Sequence, residues 1–202
     1  MSKGWTAENL GFDMLTRRGV LTGILAAALA PQAALAAAPK KKKIFVINPV
    51  FSPQYVSYDS PYAPGTVVID PRGRFLYLIE DSFTARRYGV GVGRAGRVFH
   101  GVAKVGRKAK WPRWIPTNGM IRRQPEKYAR YAGGVAGGPH NPLGARALYL
   151  YRNGRDTHYR IHGTTEPWTI GRAVSNGCIR MVNEHVMDLY ARVPVGARVV
   201  VI

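Results

Sequence analysis

Residues 66–81 read TVVIDPRGRFLYLIED. Val67, Val68 and Ile69 form a β-branched run, and Pro71-Arg72-Gly73 supplies a turn. Beyond it Phe75, Tyr77 and Ile79 alternate with Leu76 and Leu78, so both sides of that strand are apolar and it is covered on both faces. Two such runs across a short Pro/Gly turn form a β-hairpin. Moving outward, residues 85–93 (ARRYGVGVG) read as a third strand and residues 97–106 (RVFHGVAKVG) as a fourth. Residues 146–152 (RALYLYR) and 157–162 (THYRIH) read as strands around the turn Asn153-Gly154-Arg155-Asp156. One helix is expected after Asn183, which is of capping type, with Val186, Met187, Tyr190 and Val193 at helical spacing. Pro194 and Gly196 end it, and ARVVVI (197–202) closes the chain as a strand. Gly/Pro-rich, aromatic residues 107–146 read as a long loop, which in a compact domain is functional or disordered.

The N-terminal part has a different character. TRRGVLT (16–22) places paired arginines before an apolar run, Val20–Ala30, and Ala34-Leu35-Ala36 is a small-residue cleavage site. Charged, apolar and small-residue regions in that order form an export signal, here of the twin-arginine type. The apolar run is too short for a membrane span; an uncleaved anchor is the alternative reading. Residues 1–36 are therefore assigned to a signal, 37–63 to a linker (Lys40–Lys43) with an irregular extension, and 64–202 to the functional domain. The net charge of +19 over 202 residues favours polyanions: nucleic acid, anionic lipid or an anionic cell-wall polymer. Export argues against nucleic acid.

Gly91-Val92-Gly93-Arg94-Ala95-Gly96 matches the G-x-G-x-x-G pattern. A dinucleotide site needs a helix directly after it and an acidic residue about 20 positions on. Here a strand-like run follows, and WPRWIP (111–116) holds no acid, so these glycines serve turns or a close backbone approach.

The only cysteine, Cys178, lies in RAVSNGCIRM (172–181). Three readings of it stand from residue types. It is a buried structural thiol; or it joins His158 and His162 as a zinc ligand; or it is a nucleophile whose proton is taken by the His162 imidazole, which keeps the pair charged, with nearby main-chain N–H groups stabilising an oxyanion.

His162-Gly163, the spacer Pro167, Ile170 and Gly171, the run Ser175-Asn176-Gly177-Cys178-Ile179-Arg180-Met181, and the upstream NPLGARALYL (141–150) together resemble the L,D-transpeptidase catalytic domain, the YkuD family. VVIDPRGRFLYLIED and YGVGVGR are similar to the start of that domain. The resemblance covers about residues 64–202. It implies a mainly β, sandwich-like catalytic fold with one or two short helices, acting in the periplasm on peptidoglycan stem peptides. It implies that Cys178 attacks the diaminopimelate–D-Ala bond of a donor tetrapeptide and releases D-Ala. The thioester then passes to an amine of a second stem or a wall-anchored protein. His162 activates the thiol, the Gly163 carbonyl orients the imidazole, and the N–H groups of Gly177 and Cys178 form the oxyanion site. No metal or cofactor is required. Among further site candidates, Arg180 binds a substrate carboxylate or braces the cysteine loop. Ser175 hydrogen-bonds within that loop, Asn141 shapes a cleft wall or a plain turn, and Trp168 lines the groove or covers the core. A hydrolase on the same scaffold and a non-catalytic wall-binding module are the rivals.

Overall fold

The Pro71-Arg72-Gly73 turn is closed by Asp70, whose Oδ1 accepts from the N–H groups of Arg72 and Gly73 at 2.9 Å each. Arg74 completes it with a left-handed φ of 66°. In this computed structural model, residues 45–95, 97 and 99–202 are described; the export signal and the Lys40–Lys43 linker lie outside them. Strands β1 (Gln54–Ser57), β2 (Val67–Asp70), β3 (Phe75–Ile79), β4 (Thr84–Gly89) and β5 (Val92–Gly93) precede the long β6 (Gly101–Lys110). Two short helices follow, α1 (Asn118–Arg123) and α2 (Pro125–Tyr128). The chain ends with β7 (Arg146–Arg152), β8 (Arg155–His162), β9 (Ala173–Ser175), β10 (Ile179–Arg180), α3 (Asn183–Arg192) and β11 (Arg198–Val201).

Nine strands form one sheet in the order β1-β4-β3-β2-β11-β6-β7-β8-β10, and β5 pairs with β9 apart from it. In a flat sheet β4 and β10 would lie seven inter-strand gaps apart, roughly 34 Å. Instead Arg180 donates its N–H to the carbonyl of Gly91, two residues past β4, at 2.8 Å. The sheet therefore curls over on itself. Val67, Leu76 and Tyr88 from one half share a single buried cluster with Leu148, Ile161 and Ile179 from the other. The fold is mainly β and sandwich-like, as the sequence implies.

The hairpin is covered on both sides. Val68, Ile79 and Ala85 on the outer face pack under Val56, Tyr58, Tyr62 and Tyr77. The covering segment is not irregular throughout, which corrects the expectation for 37–63: Gln54–Ser57 pairs antiparallel with β4 from Gln54↔Arg87 to Ser57↔Thr84. The proline-broken composition there hides a short edge strand. The run 85–93 is also two strands rather than one, because the chain turns at Gly91 to bridge Arg180. A Cβ at Gly91 would lie 2.7 Å from the Thr169 carbonyl oxygen. The sixth strand begins at Gly101, not at 97, and among the described residues no helix follows the glycine-rich stretch directly, so the dinucleotide pattern is a coincidence of turns. Between β7 and β8, Asn153 and Gly154 both have positive φ, 50° and 74°, as a two-residue hairpin turn demands.

The stretch expected as a loop carries structure. Trp114 and Val135 exchange main-chain hydrogen bonds at 3.0 and 2.7 Å, and the Trp114 ring packs on Tyr128 and Tyr131. This makes a small lid, residues 111–143, around α1 and α2, and it accounts for the helices beyond the expected one or two.

Helix α3 begins at Asn183, yet Asn183 does not cap it. The cap position is Val182, with no side-chain bond, and the Asn183 amide oxygen accepts from Ala145 N–H at 2.9 Å. Its buried stripe is Val186, Leu189 and Val193, whereas Met187 is 37% exposed. Lys108 Nζ donates to the carbonyls of Tyr190 and Val193 at 2.6 and 2.7 Å, where a cation suits the helix C-terminus. Asp188 anchors the exposed side, accepting from Tyr88 Oη at 2.6 Å, Arg86 Nε at 2.9 Å and Arg192 Nε at 2.9 Å. Burial works to raise its carboxyl, but these donors outweigh it and hold the group below the usual carboxylate range. Its contribution is thus present above an ordinary carboxylate pKa and is lost as pH falls through the lower folded value. Asp188→Ala leaves the buried Tyr88 hydroxyl accepting from Arg86 Nε at 3.0 Å but with no acceptor for its own proton, and is expected to cost about 2 kcal/mol. Adding Tyr88→Phe should recover part of that loss, because removing both partners of a hydrogen bond is milder than removing one. Thermal unfolding of the single and double variants reads both effects.

Candidate active site

The cysteine loop is built by Ser175 and Gly177. Ser175 Oγ donates to the Cys178 carbonyl at 2.6 Å and accepts from Gly177 N–H at 3.0 Å. Gly177 sits at φ 127°, and a Cβ there would meet the Arg97 carbonyl oxygen and the Tyr159 ring, each at 2.7 Å. Only glycine fits. Strand β10, which starts one residue after Cys178, pairs parallel with β8, and Arg180 faces His162 in register. Cys178, two residues before Arg180, therefore points to the same face as His162. Both side chains line one cleft.

Strand β8 carries an irregularity beside the thiol. Its register against β7 shifts between Tyr149↔Arg160 and Tyr151↔Asp156, and His158 takes a φ of 61°. Asp156 Oδ1 stabilises this bulge by accepting from His158 N–H at 2.8 Å. The bulge turns the His158 carbonyl oxygen toward Cys178, with Sγ 3.9 Å away.

His162 is 5% exposed, and its Nδ1 lies 2.5 Å from the Gly163 carbonyl oxygen. A carbonyl can only accept, so Nδ1 carries the proton and Nε2 is left with its lone pair. A Cβ at Gly163 or at Gly144 would collide with the Asn183 amide oxygen. One asparagine thus sits beneath both the His-Gly pair and the Asn-Pro-Leu-Gly turn.

The electrostatics favour a neutral resting pair. Burial lowers the His162 imidazole to about 4; its bond to Gly163 works upward, and the Arg180 and Arg160 guanidinium groups push further down. Cys178 is half-buried by solvent contact, but protein atoms crowd the sulfur, and this desolvation raises the thiol. The Arg160 N–H and the charges of Arg160 and Arg180 counter it in part. Both shifts favour a thiol beside a neutral imidazole over the standing ion pair expected from residue types. Among the described residues no hydrogen bond joins Sγ to the His162 ring.

Two clefts meet at the thiol. One, about 780 Å³, runs past Arg107, Arg113, Arg123, His158 and Arg160. The other, about 480 Å³, is lined by His162, Glu166, Lys127, Arg130 and Arg180. Trp114, Met120 and Leu143, with Asn176 and Cys178, belong to both. The lid is tied to the cysteine loop through Asn176, whose Nδ2 meets Tyr128 Oη at 3.2 Å while its Oδ1 accepts from Arg97 at 2.6 Å. Among the described residues no three His, Cys, Asp or Glu side chains gather as metal ligands, so His158, His162 and Cys178 do not form the ligand set considered from the sequence. No helix among them is long and apolar enough to cross a membrane.

The family model of the L,D-transpeptidase catalytic domain, YkuD, matches residues 64–201. The chain belongs to this family. Among its curated relatives, the probable L,D-transpeptidase ErfK/SrfK of Escherichia coli K12 is 36% identical over 74% of this chain and 47% of that protein. The probable L,D-transpeptidase YbiS of the same organism is 34% identical over 73% and 47%. The chain thus spans about half the length of these relatives. A solved Brucella melitensis protein, described as a probable carnitine operon oxidoreductase, is 58% identical, with a TM-score of 0.54, over 77% of this chain and 96% of that one.

Against the L,D-transpeptidase pattern, the structure brings Cys178, His162, Gly163, Gly177, Ser175 and Arg180 together. Arg180 Nη1 is held by Glu166 Oε2 at 2.7 Å, which makes it a brace between the cysteine loop and the 163–169 segment. Two residues stand apart. Asn141 is 1% exposed; its Nδ2 donates to the carbonyls of Val135 and Ala136 and its Oδ1 accepts from Leu143 N–H. It shapes the lid from within and lines neither cleft. Trp168 is 52% exposed and lies outside both clefts, so it neither lines the groove nor covers the core. The Gly177 N–H is engaged by Ser175, so the expected pair of oxyanion donors is not free here. The Cys178 N–H has no protein partner among the described residues. Sequence reasoning missed Asn183, Glu166 and Met120; Asn183 was visible only as a helix cap.

Proposed function

We propose that this chain is a peptidoglycan L,D-transpeptidase whose nucleophile is Cys178 and whose general base is His162. The observation that carries the reading is the fixed tautomer of His162: with Nδ1 held by Gly163, Nε2 is the acceptor in the cleft that also holds Cys178. The donor is a tetrapeptide stem. As Sγ attacks the diaminopimelate carbonyl carbon, the thiol proton passes to His162 Nε2, and the Cys178 N–H stabilises the oxyanion. The C–N bond then breaks, and His162 returns the proton to the departing D-Ala amine, leaving a thioester on Sγ. In the second half an acceptor amine gives its proton to His162 and attacks the thioester; the sulfur leaves and regains that proton.

The leaving amine must lie against His162, which lines only the second cleft, so D-Ala departs there. By microscopic reversibility the acceptor amine enters by the same side. The acyl portion of the donor then occupies the first, arginine-lined cleft. Arg180, Ser175 and Gly177 hold the cysteine loop in place, and Asn141 acts through the lid. The acceptor is a second stem or a wall-anchored protein. We assign residues 1–36 to export and the domain 64–202 to action outside the cytoplasm, in the periplasm, where basic charge holds the enzyme on a carboxylate-rich wall.

Incubation of the purified protein with tetrapeptide muropeptides, followed by mass analysis, is expected to give free D-Ala and cross-linked dimers. Free tripeptide alone would instead mean that water is the acceptor.

A further inference from the structure

The first cleft is unusual in its charge. Four arginines line it, Arg107, Arg113, Arg123 and Arg160, and among the described residues no acidic side chain does. Only Arg160 has a carboxylate partner, pairing through both terminal nitrogens with Asp156 at 2.7 and 2.9 Å. Arg107, Arg113 and Arg123 enter no ion pair among the described residues. Two of the three are held in place by groups that leave their charge unbalanced. Arg107 stacks on the Tyr149 ring, 3.5 Å from its centroid, with Arg160 over the same ring at 4.4 Å. Arg113 donates to the Gly133 carbonyl. The second cleft holds one acidic side chain, Glu166, which pairs with Arg180, and beside it Lys127 and Arg130 without an ion pair among the described residues; it differs from the first in carrying an acid and a single further arginine.

Unpaired guanidinium groups along a groove are a recognition surface for planar anions, above all carboxylates. The acyl portion of a tetrapeptide stem carries two free carboxylates, one on D-glutamate and one on diaminopimelate. An amide in place of either carboxylate would keep the shape and lose the charge. We propose that the arginine-lined cleft selects donor stems whose acyl portion keeps its carboxylates free, and discriminates against amidated stems. This rests on the transpeptidase reading above and specifies its substrate.

The test compares a free-acid tetrapeptide with its doubly amidated counterpart. The wild-type protein is expected to favour the free acid by about tenfold or more in kcat/KM, mainly through KM, because a charge-assisted hydrogen bond exceeds a neutral one by about that margin. The preference should shrink as salt is raised. The double variant Arg113→Gln/Arg123→Gln should bring the ratio close to one, and Arg113→Lys/Arg123→Lys, which keeps the charge and guards against a folding artefact, should retain most of it. Equal use of both stems by the wild-type protein, or a preference that survives the glutamine variant, overturns the inference alone. Failure of both stems to acylate Cys178 overturns the transpeptidase reading and this inference with it.

Discussion

Cys178→Ala is expected to lower D-Ala release from tetrapeptide stems by at least about 10⁴-fold, since no other group can form the acyl intermediate. The substitution is small and the site tolerates it: the loop is held by Ser175 Oγ, which contacts the Cys178 carbonyl and the Gly177 N–H rather than the sulfur. Thermal unfolding should therefore change little, and binding to isolated cell walls should persist because the arginines remain. The thiol itself has a testable resting state. Burial raises it and lowers His162 to about 4, so alkylation of the free enzyme by iodoacetamide is expected to climb steadily from neutral to alkaline pH. A plateau of fast alkylation between pH 6 and 8 would instead report a standing thiolate–imidazolium pair. On this account the thiolate forms during attack, as the thiol proton passes to His162.

His162→Gln is expected to reduce turnover by about 10²–10⁴-fold, the range for loss of a positioned general base. The same variant has a second readout. An imidazole held neutral by burial stabilises the fold fully above its unfolded pKa of 6.5. That stability is lost as pH falls from there to about 4, because the unfolded chain binds the proton and the folded one does not. The contribution amounts to up to about 3 kcal/mol. The wild-type domain should lose stability over this window, and the glutamine variant should lose distinctly less. A merely structural histidine with an ordinary pKa would show the turnover loss without the change in slope.

Much of the fold was legible because its strands are strongly patterned. The Val67–Ile79 hairpin, the Asn153-Gly154 turn and the closing strand could be read from β-branched runs and turn residues. The pieces that escaped are those set by distant partners. Gln54–Ser57 is a strand because β4 offers an edge to pair with, and its proline-rich surroundings do not announce that. Asn183 looks like a cap by type but serves the loops above it, because Gly144 and Gly163 leave it room there. The lid was visible as a glycine- and aromatic-rich run, while its organisation around Trp114 depends on Val135, Tyr128 and Tyr131 meeting in space.

The candidate site shows the same division. Cys178, His162 and the glycines beside them could be read from local motifs, since their roles depend on neighbours in the chain. Asn141 and Trp168 could not, since burial of one and exposure of the other follow from how the lid and the 163–169 segment pack. The charge balance of the site also needed the structure. Residue types suggest that an imidazole beside a thiol makes an ion pair; burial of His162 beside two guanidinium groups disfavours a third positive charge and favours a neutral pair.

The intact mass of the protein after mixing with a tetrapeptide stem, with no acceptor amine present, tests the central claim most directly. The account predicts a gain equal to the stem less D-Ala, localised to Cys178 by fragmentation and absent from Cys178→Ala. Release of D-Ala with the protein mass unchanged throughout, or an adduct carried by any other residue, would contradict it.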